Sequence, residues 1–198
     1  MGATPKAMRR KKGSLKVHMK IVAHDNMAKF VKIIEVRMND KKILKYLIMP
    51  SGSMIVFDKA YNHNLQFTQW TDLGVNSVCS FKDNAKYEVQ LVLFEKDLTN
   101  NNFGLYKKEH IHFKYIENKK VKNLYLRKVT YKDEKVRIYK FITNNFEISN
   151  EEVPFQYKKC WNKETMVKKM KQNFKHHYFY SETENMIRTL IWFTIIAK

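Results

Sequence analysis

The chain has 198 residues, 44% of them hydrophobic, and carries 38 Lys and Arg against 19 Asp and Glu, a formal net charge of +19. That is enough for one ordinary core or one core with an appended module, and so basic a chain expects a partner made of phosphates, nucleic acid before membrane. Two cysteines, Cys79 and Cys160, exclude a disulfide framework, and the longest apolar run, Thr189 to Ala197, is too short to cross a bilayer core of about 30 Å.

Residues 1–12 form a basic tail. KAMRRKKGSLK, Lys6 to Lys16, holds six cations, Arg9, Arg10, Lys11 and Lys12 among them, and no acid. Only six of the 38 cations are Arg, so lysine-rich compositional drift is the bland account of the charge; bunching of cations at the two ends favours nucleic-acid contact. From Leu15 to Val36, LKVHMKIVA and AKFVKIIEV alternate with a strand period around the turn-like HDNM, which predicts a hairpin. Asp40 to Ile48 then sets Ile43, Leu44 and Leu47 at helical spacing until Pro50, Ser51 and Gly52 stop it.

SMIVFD, Ser53 to Asp58, is a short apolar run closed by an acid, the pattern of a buried strand delivering a carboxylate at its carboxyl end. A helix over Asn64 to Leu73 ending at Gly74, and VNSVCSF as a further strand, complete a β-α-β alternation and predict a mixed α/β core. YEVQLVLF, HIHFKYI, LYLRKVTY and VRIYKFIT follow as four candidate strands, an all-β insertion at about 86–146. Ser149 and Glu152 have capping-box spacing and open a helix running to about Phe174; SETE, from Ser181, opens a last apolar helix.

Chemistry concentrates in YKKCWNKETMVKKMK, Tyr157 to Lys171, where the single carboxylate Glu164 stands among six lysines. At about 100° per residue, Tyr157, Cys160, Glu164 and Lys171 share one stripe about 60° wide, with Phe155, Met166, Val167, Met170 and Phe174 in the neighbouring, core-facing sector. An acid in a basic field can hold a divalent metal that must also meet a polyanion, and the natural second ligand is Asp58. Taken alone, Asp58 is better explained as a turn or helix cap, and Glu164 as a solvated partner of Lys168. Tyr157 and Trp161 are equally candidates for core aromatics. His110 with His112, and His176 with His177, have no cysteine or acid at ligand spacing and are expected to be surface or satisfied histidines. No glycine-rich phosphate loop occurs, and no serine or cysteine nucleophile has a base.

The spacing Tyr157-x2-Cys160-x3-Glu164-x6-Lys171 resembles the Tyr-Arg-Glu-Lys signature of insertion-sequence transposases of the DDE class, with Cys160 in place of Arg. FITNNFEIS before it, FDKAYN around Asp58 and GVNSVCSFKDNAKYEV resemble further segments of that family, from about Gly13 to Ile196. The resemblance implies a ribonuclease H-like mixed sheet with flanking helices, an α+β fold, with the β-rich insertion before the last acidic helix over residues 13–198. It implies two-metal phosphodiester hydrolysis and strand transfer with Mg²⁺ or Mn²⁺, Asp58 and Glu164 being metal ligands and catalytic acids. Tyr157 and Lys171 then contact phosphates, Lys168 and the basic tail add DNA contacts, and Cys160 has no fork to offer a phosphate. The expected partners are double-stranded DNA at transposon terminal repeats and a second copy, with no membrane and no small-molecule substrate, in a bacterial cytoplasm at the nucleoid. The family's first aspartate, on an opening central strand, has no counterpart before Asp58, so the expectation is a truncated domain inactive alone. A DNA-binding remnant without catalysis and a decayed reading frame are the alternatives.

Overall fold

The computed structural model describes residues 15–21, 28–35, 37–97 and 103–173, together with Asn185, Arg188, Thr189 and Trp192. From residue 163 to 173 it describes the helical backbone alone. The basic tail with Arg9, Arg10, Lys11 and Lys12, the HDNM turn, and nearly all of the expected last helix lie outside the described residues. The chain divides into two compact units, Met1–Ile43 with Ser181–Lys198, and Leu44–Tyr180.

In the first unit β1 (Leu15–Ile21) pairs antiparallel with β2 (Ala28–Glu35), the expected hairpin. Ile33 and Ile34 are buried, and the Arg188 Nη1 donates to the Ile33 carbonyl at 3.4 Å. His18, also buried, holds its Nε2 at 3.8 Å from Asp40 Oδ1. The segment Asp40–Tyr46 is a 3₁₀ helix, not a regular α-helix. Its bonds run three residues back, from Lys42 N to Asn39 O and from Leu47 N to Leu44 O, each at 3.0 Å, and the chain breaks away at Pro50 before a longer helix forms.

The second unit is built on a six-stranded mixed sheet in the order β3-β4-β8-β7-β6-β5. β3 (Met54–Phe57) and β4 (Asn76–Ser80) run parallel, joined by α1 (Asn64–Asp72); every other pairing is antiparallel. Gly74, at φ +68, turns the chain out of α1, and an added Cβ there would stand 2.7 Å from Ser51 Oγ. The four inserted strands, β5 (Glu88–Glu95), β6 (Gly104–Glu117), β7 (Lys120–Lys132) and β8 (Ile138–Thr143), form at the segments expected of them. They continue the same sheet, because β8 pairs with β4. A two-residue turn, Asn118 at φ 49 and Lys119 at φ 62, joins β6 to β7 with the twist such hairpins need.

Strand alternation divides the core between the two faces. Phe57, Cys79, Ile111, Phe113, Leu124, Leu126 and Ile142 pack under Phe67 and Trp70 of α1. Val78, Val129 and Phe141 pack on the other face under Val153 of α2 (Glu152–Asn173). The result is an α+β mixed sheet with a helix on each face, the class expected from the sequence and consistent with a ribonuclease H-like domain.

Candidate functional site

β3 ends at Phe57, and the next residue leaves the sheet in an extended conformation, φ −77 and ψ 157. There Asp58 caps the short 3₁₀ turn Lys59–Tyr61: its Oδ1 accepts the Ala60 N–H at 3.0 Å. The turn is pinned to the end of β4, where Ser80 Oγ accepts the Lys59 N–H at 3.0 Å. The capping role weighed for Asp58 is therefore real, and it uses one carboxylate oxygen. The other meets the helix: the Tyr157 hydroxyl donates to Asp58 Oδ2 at 3.4 Å.

α2 reaches this strand end because its first turns lie on the β4–β8 face. Val153 is fully buried, the Tyr157 ring sits 4.9 Å from Phe141, and the Cys160 thiol lies 3.5 Å from the Val56 carbonyl of β3. Tyr157 and Cys160, the first two residues of the signature stripe, face the sheet, which corrects the expected orientation of this part of α2: Phe155, placed in the core-facing sector, is 57% exposed, and Trp161 is 45% exposed. The wheel ranks apolar side chains only, whereas the sheet offers a groove between Val78, Val129 and Phe141 that Val153 and Tyr157 fill. The backbone of Glu164 comes two turns after Tyr157, about 10 Å further along the helix axis. Lys168 and Lys171 lie further along α2; the side chains of all three are outside the described residues.

The lead-in to α2 is a chain of local caps. Thr143 Oγ1 accepts the Asn145 N–H at 3.0 Å, Asn145 Oδ1 accepts Glu147 N–H at 2.8 Å and Ile148 N–H at 2.9 Å, and Ser149 Oγ accepts the Glu152 N–H at 3.1 Å. Only half of the expected capping box forms, since the Glu152 carboxylate bonds Gln156 instead of returning to Ser149. Asn144 ties this segment to the sheet. Its Oδ1 accepts from Ser77 N at 2.7 Å and Ser77 Oγ at 2.9 Å, while its Nδ2 donates to Thr71 Oγ1 and the Val75 carbonyl, both at 2.9 Å. The sequence drew attention to the Thr143-Asn144 pair only through resemblance; an asparagine directly after a buried strand is the local signal of such a clamp.

Asp58 has the chemistry a divalent cation needs, a partly exposed carboxylate with one oxygen held by the backbone and the other in a single long contact. Its negative charge also reaches the sheet: the Cys79 thiol is pushed up, first by burial and then by Asp58. Among the described residues no group of three His, Cys, Asp or Glu gathers to hold a metal. His112 is a satisfied buried histidine, between Glu88 Oε2 at 3.3 Å and Asn123 Oδ1 at 2.9 Å, and Cys79 is fully buried. Among the described residues, no helix is long and apolar enough to cross a membrane.

Fold and site together define an α+β domain in which a strand-end carboxylate meets the face of a long lysine-rich helix. The family model described as transposase DDE domain matches residues 2–197, and the chain belongs to that family. Its members act on DNA in transposition and generally use divalent metal ions. Comparison with curated proteins found no match, and comparison with solved structures found none.

Proposed function

We propose that the chain binds transposon-end DNA and that Asp58 and Glu164 are two of the acids that carry phosphodiester hydrolysis and strand transfer. The observation that supports it is the contact between Tyr157 and Asp58, 99 residues apart, which brings the signature face of α2 to the acid at the end of β3. Asp58 and Glu164 would hold Mg²⁺ or Mn²⁺, which would supply charge neutralisation at the phosphate and activation of the attacking water or hydroxyl. Asp58 is held in position by its backbone cap and by Ser80 behind the turn. Tyr157, Lys168 and Lys171, with Arg9, Arg10, Lys11 and Lys12, take DNA phosphates at the terminal repeats, and two copies pair the two ends. The test is cleavage of a duplex carrying the ends of its own element, in Mg²⁺ and in Mn²⁺, by the full chain and by Asp58→Ala and Glu164→Gln. Metal-dependent cleavage lost in both variants supports these roles for Asp58 and Glu164 and overturns the expectation that the chain is inactive alone, and cleavage that survives either change refutes the roles.

One observation favours a second reading, DNA binding without catalysis. Cys160 occupies the signature's arginine position, and its thiol is turned to the Val56 carbonyl, where it supplies no bidentate contact to a phosphate. Binding that falls steeply with salt and ignores Mg²⁺, with no cleavage, identifies this case.

A further inference from the structure

Arg127 lies on β7, on the α2 side of the sheet, opposite His110 of β6 and Thr143 of β8. The residue is 1% exposed, yet only Nη1 has a partner, the Phe146 carbonyl at 3.3 Å. Nε and Nη2 are buried with no hydrogen-bond partner among the described residues. A planar guanidinium recognises an oxyanion bidentately through an edge of two such N–H groups, and leaving a charged donor buried and unpaired is costly. The acid whose charge bears on Arg127, Glu147, lies on the following loop and makes no bond to it.

The surroundings are basic and capped. His110 carries the Phe146 ring edge-on at 5.0 Å, and Phe146 is itself 39% exposed in the loop between β8 and α2. Burial, Lys108 and Arg127 all hold the His110 ring below its ordinary value, so the two cations act at one spot. Positive charge with two idle donors under an aromatic flap is complementary to a phosphate oxyanion and not to a cation or an apolar group.

We propose that Arg127, with Lys108 and His110 beside it, is a binding site for a phosphate oxyanion, opened by displacement of Phe146. The site is separate from the contact between Asp58 and Tyr157 and stands whether or not the chain cuts DNA. Because Phe146 belongs to the lead-in of α2, occupancy at Arg127 bears on the seating of that helix.

The test uses the full chain, titrated with inorganic phosphate by calorimetry at ionic strength held constant with chloride, in wild type, Arg127→Met and Phe146→Ala. Saturable phosphate binding that disappears in Arg127→Met and tightens several-fold in Phe146→Ala is expected. A second arm measures binding of a short duplex DNA against salt. A log–log slope shallower by about 0.9 in Arg127→Met assigns the site to a nucleic-acid phosphate, and an unchanged slope assigns it to free phosphate. If wild type binds no phosphate, or Arg127→Met binds it equally, the proposal is overturned and the two donors bond only trapped water. Should Arg127→Met fail to fold, Phe146→Ala decides alone: phosphate affinity no tighter than wild type overturns the site.

Discussion

Asp58 does two jobs that a pair of substitutions separates. Asparagine keeps an oxygen able to accept the Ala60 N–H and loses the charge; alanine loses both. Asp58→Asn is therefore expected to change stability by a few tenths of a kcal/mol and Asp58→Ala to cost about 1 kcal/mol, read by urea denaturation. Both should weaken Mn²⁺ binding alike in a direct titration, since the ion needs the charge. A cap-only role predicts that Asp58→Asn leaves Mn²⁺ binding untouched. Its place at the end of a buried strand was legible from a short apolar run closed by an acid, but that pattern serves a cap as well as a metal ligand, and the structure shows the cap. Arg127 and Lys128 were not. In LYLRKVTY they read as one basic step, but adjacent strand residues point to opposite faces, and here both are buried. Lys128 goes to Glu109 at 2.7 Å and the Tyr87 hydroxyl at 2.8 Å on the α1 side, Arg127 to the opposite face. No local pattern tells a buried, paired lysine from a solvated one.

The element that governs the site is the lead-in to α2, where the chain turns from β8 onto the sheet face. Asn144 uses both its acceptor and its donor groups to bind the end of α1, the turn after it and β4, so truncation leaves several part-buried polar groups unpaired at once. Each costs about 1–3 kcal/mol, and Asn144→Ala is expected to lower stability by about 2–4 kcal/mol with a shift in urea midpoint and no change in slope. Ser149→Ala removes one cap and is expected to cost about 1 kcal/mol, since the reciprocal half of the capping box is already absent. A larger loss would mean that Glu152 returns to Ser149 in solution. The hairpin, α1 and the inserted strands follow their sequence periodicity because each is set by local alternation and by turn residues. The orientation of α2 was not legible, since the wheel weighs Phe155 above Cys160, and only the groove on the β4–β8 face decides which stripe is buried.

Over the whole molecule, charge dominates: +19 at neutral pH rises further as carboxylates and histidines take up protons, so acid destabilises the fold by more than one route. His110 is held below its ordinary value of 6.5, first by burial. The folded state then binds fewer protons than the unfolded one just below pH 6.5, so stability is full above that pH and falls as pH drops toward the folded value. Asp83, Glu88 and Asp133 are also lowered, by Lys140, by Lys114 with His112, and by Arg137. Their contribution is present above the ordinary values of 3.8 and 4.5 and is lost as pH falls through the lower folded ones. Two separate declines are expected in a stability–pH curve, one starting near pH 6.5 and one near pH 4.5. His110→Gln should flatten the first and leave the second. Salt separates them by mechanism: at about 1 M, where the Debye length is about 3 Å, the exposed ion pairs are screened and the second decline shrinks, while burial of the imidazole persists and keeps the first. A first decline that vanishes with salt would assign it to screened charge, chiefly Lys108, and not to burial of the imidazole.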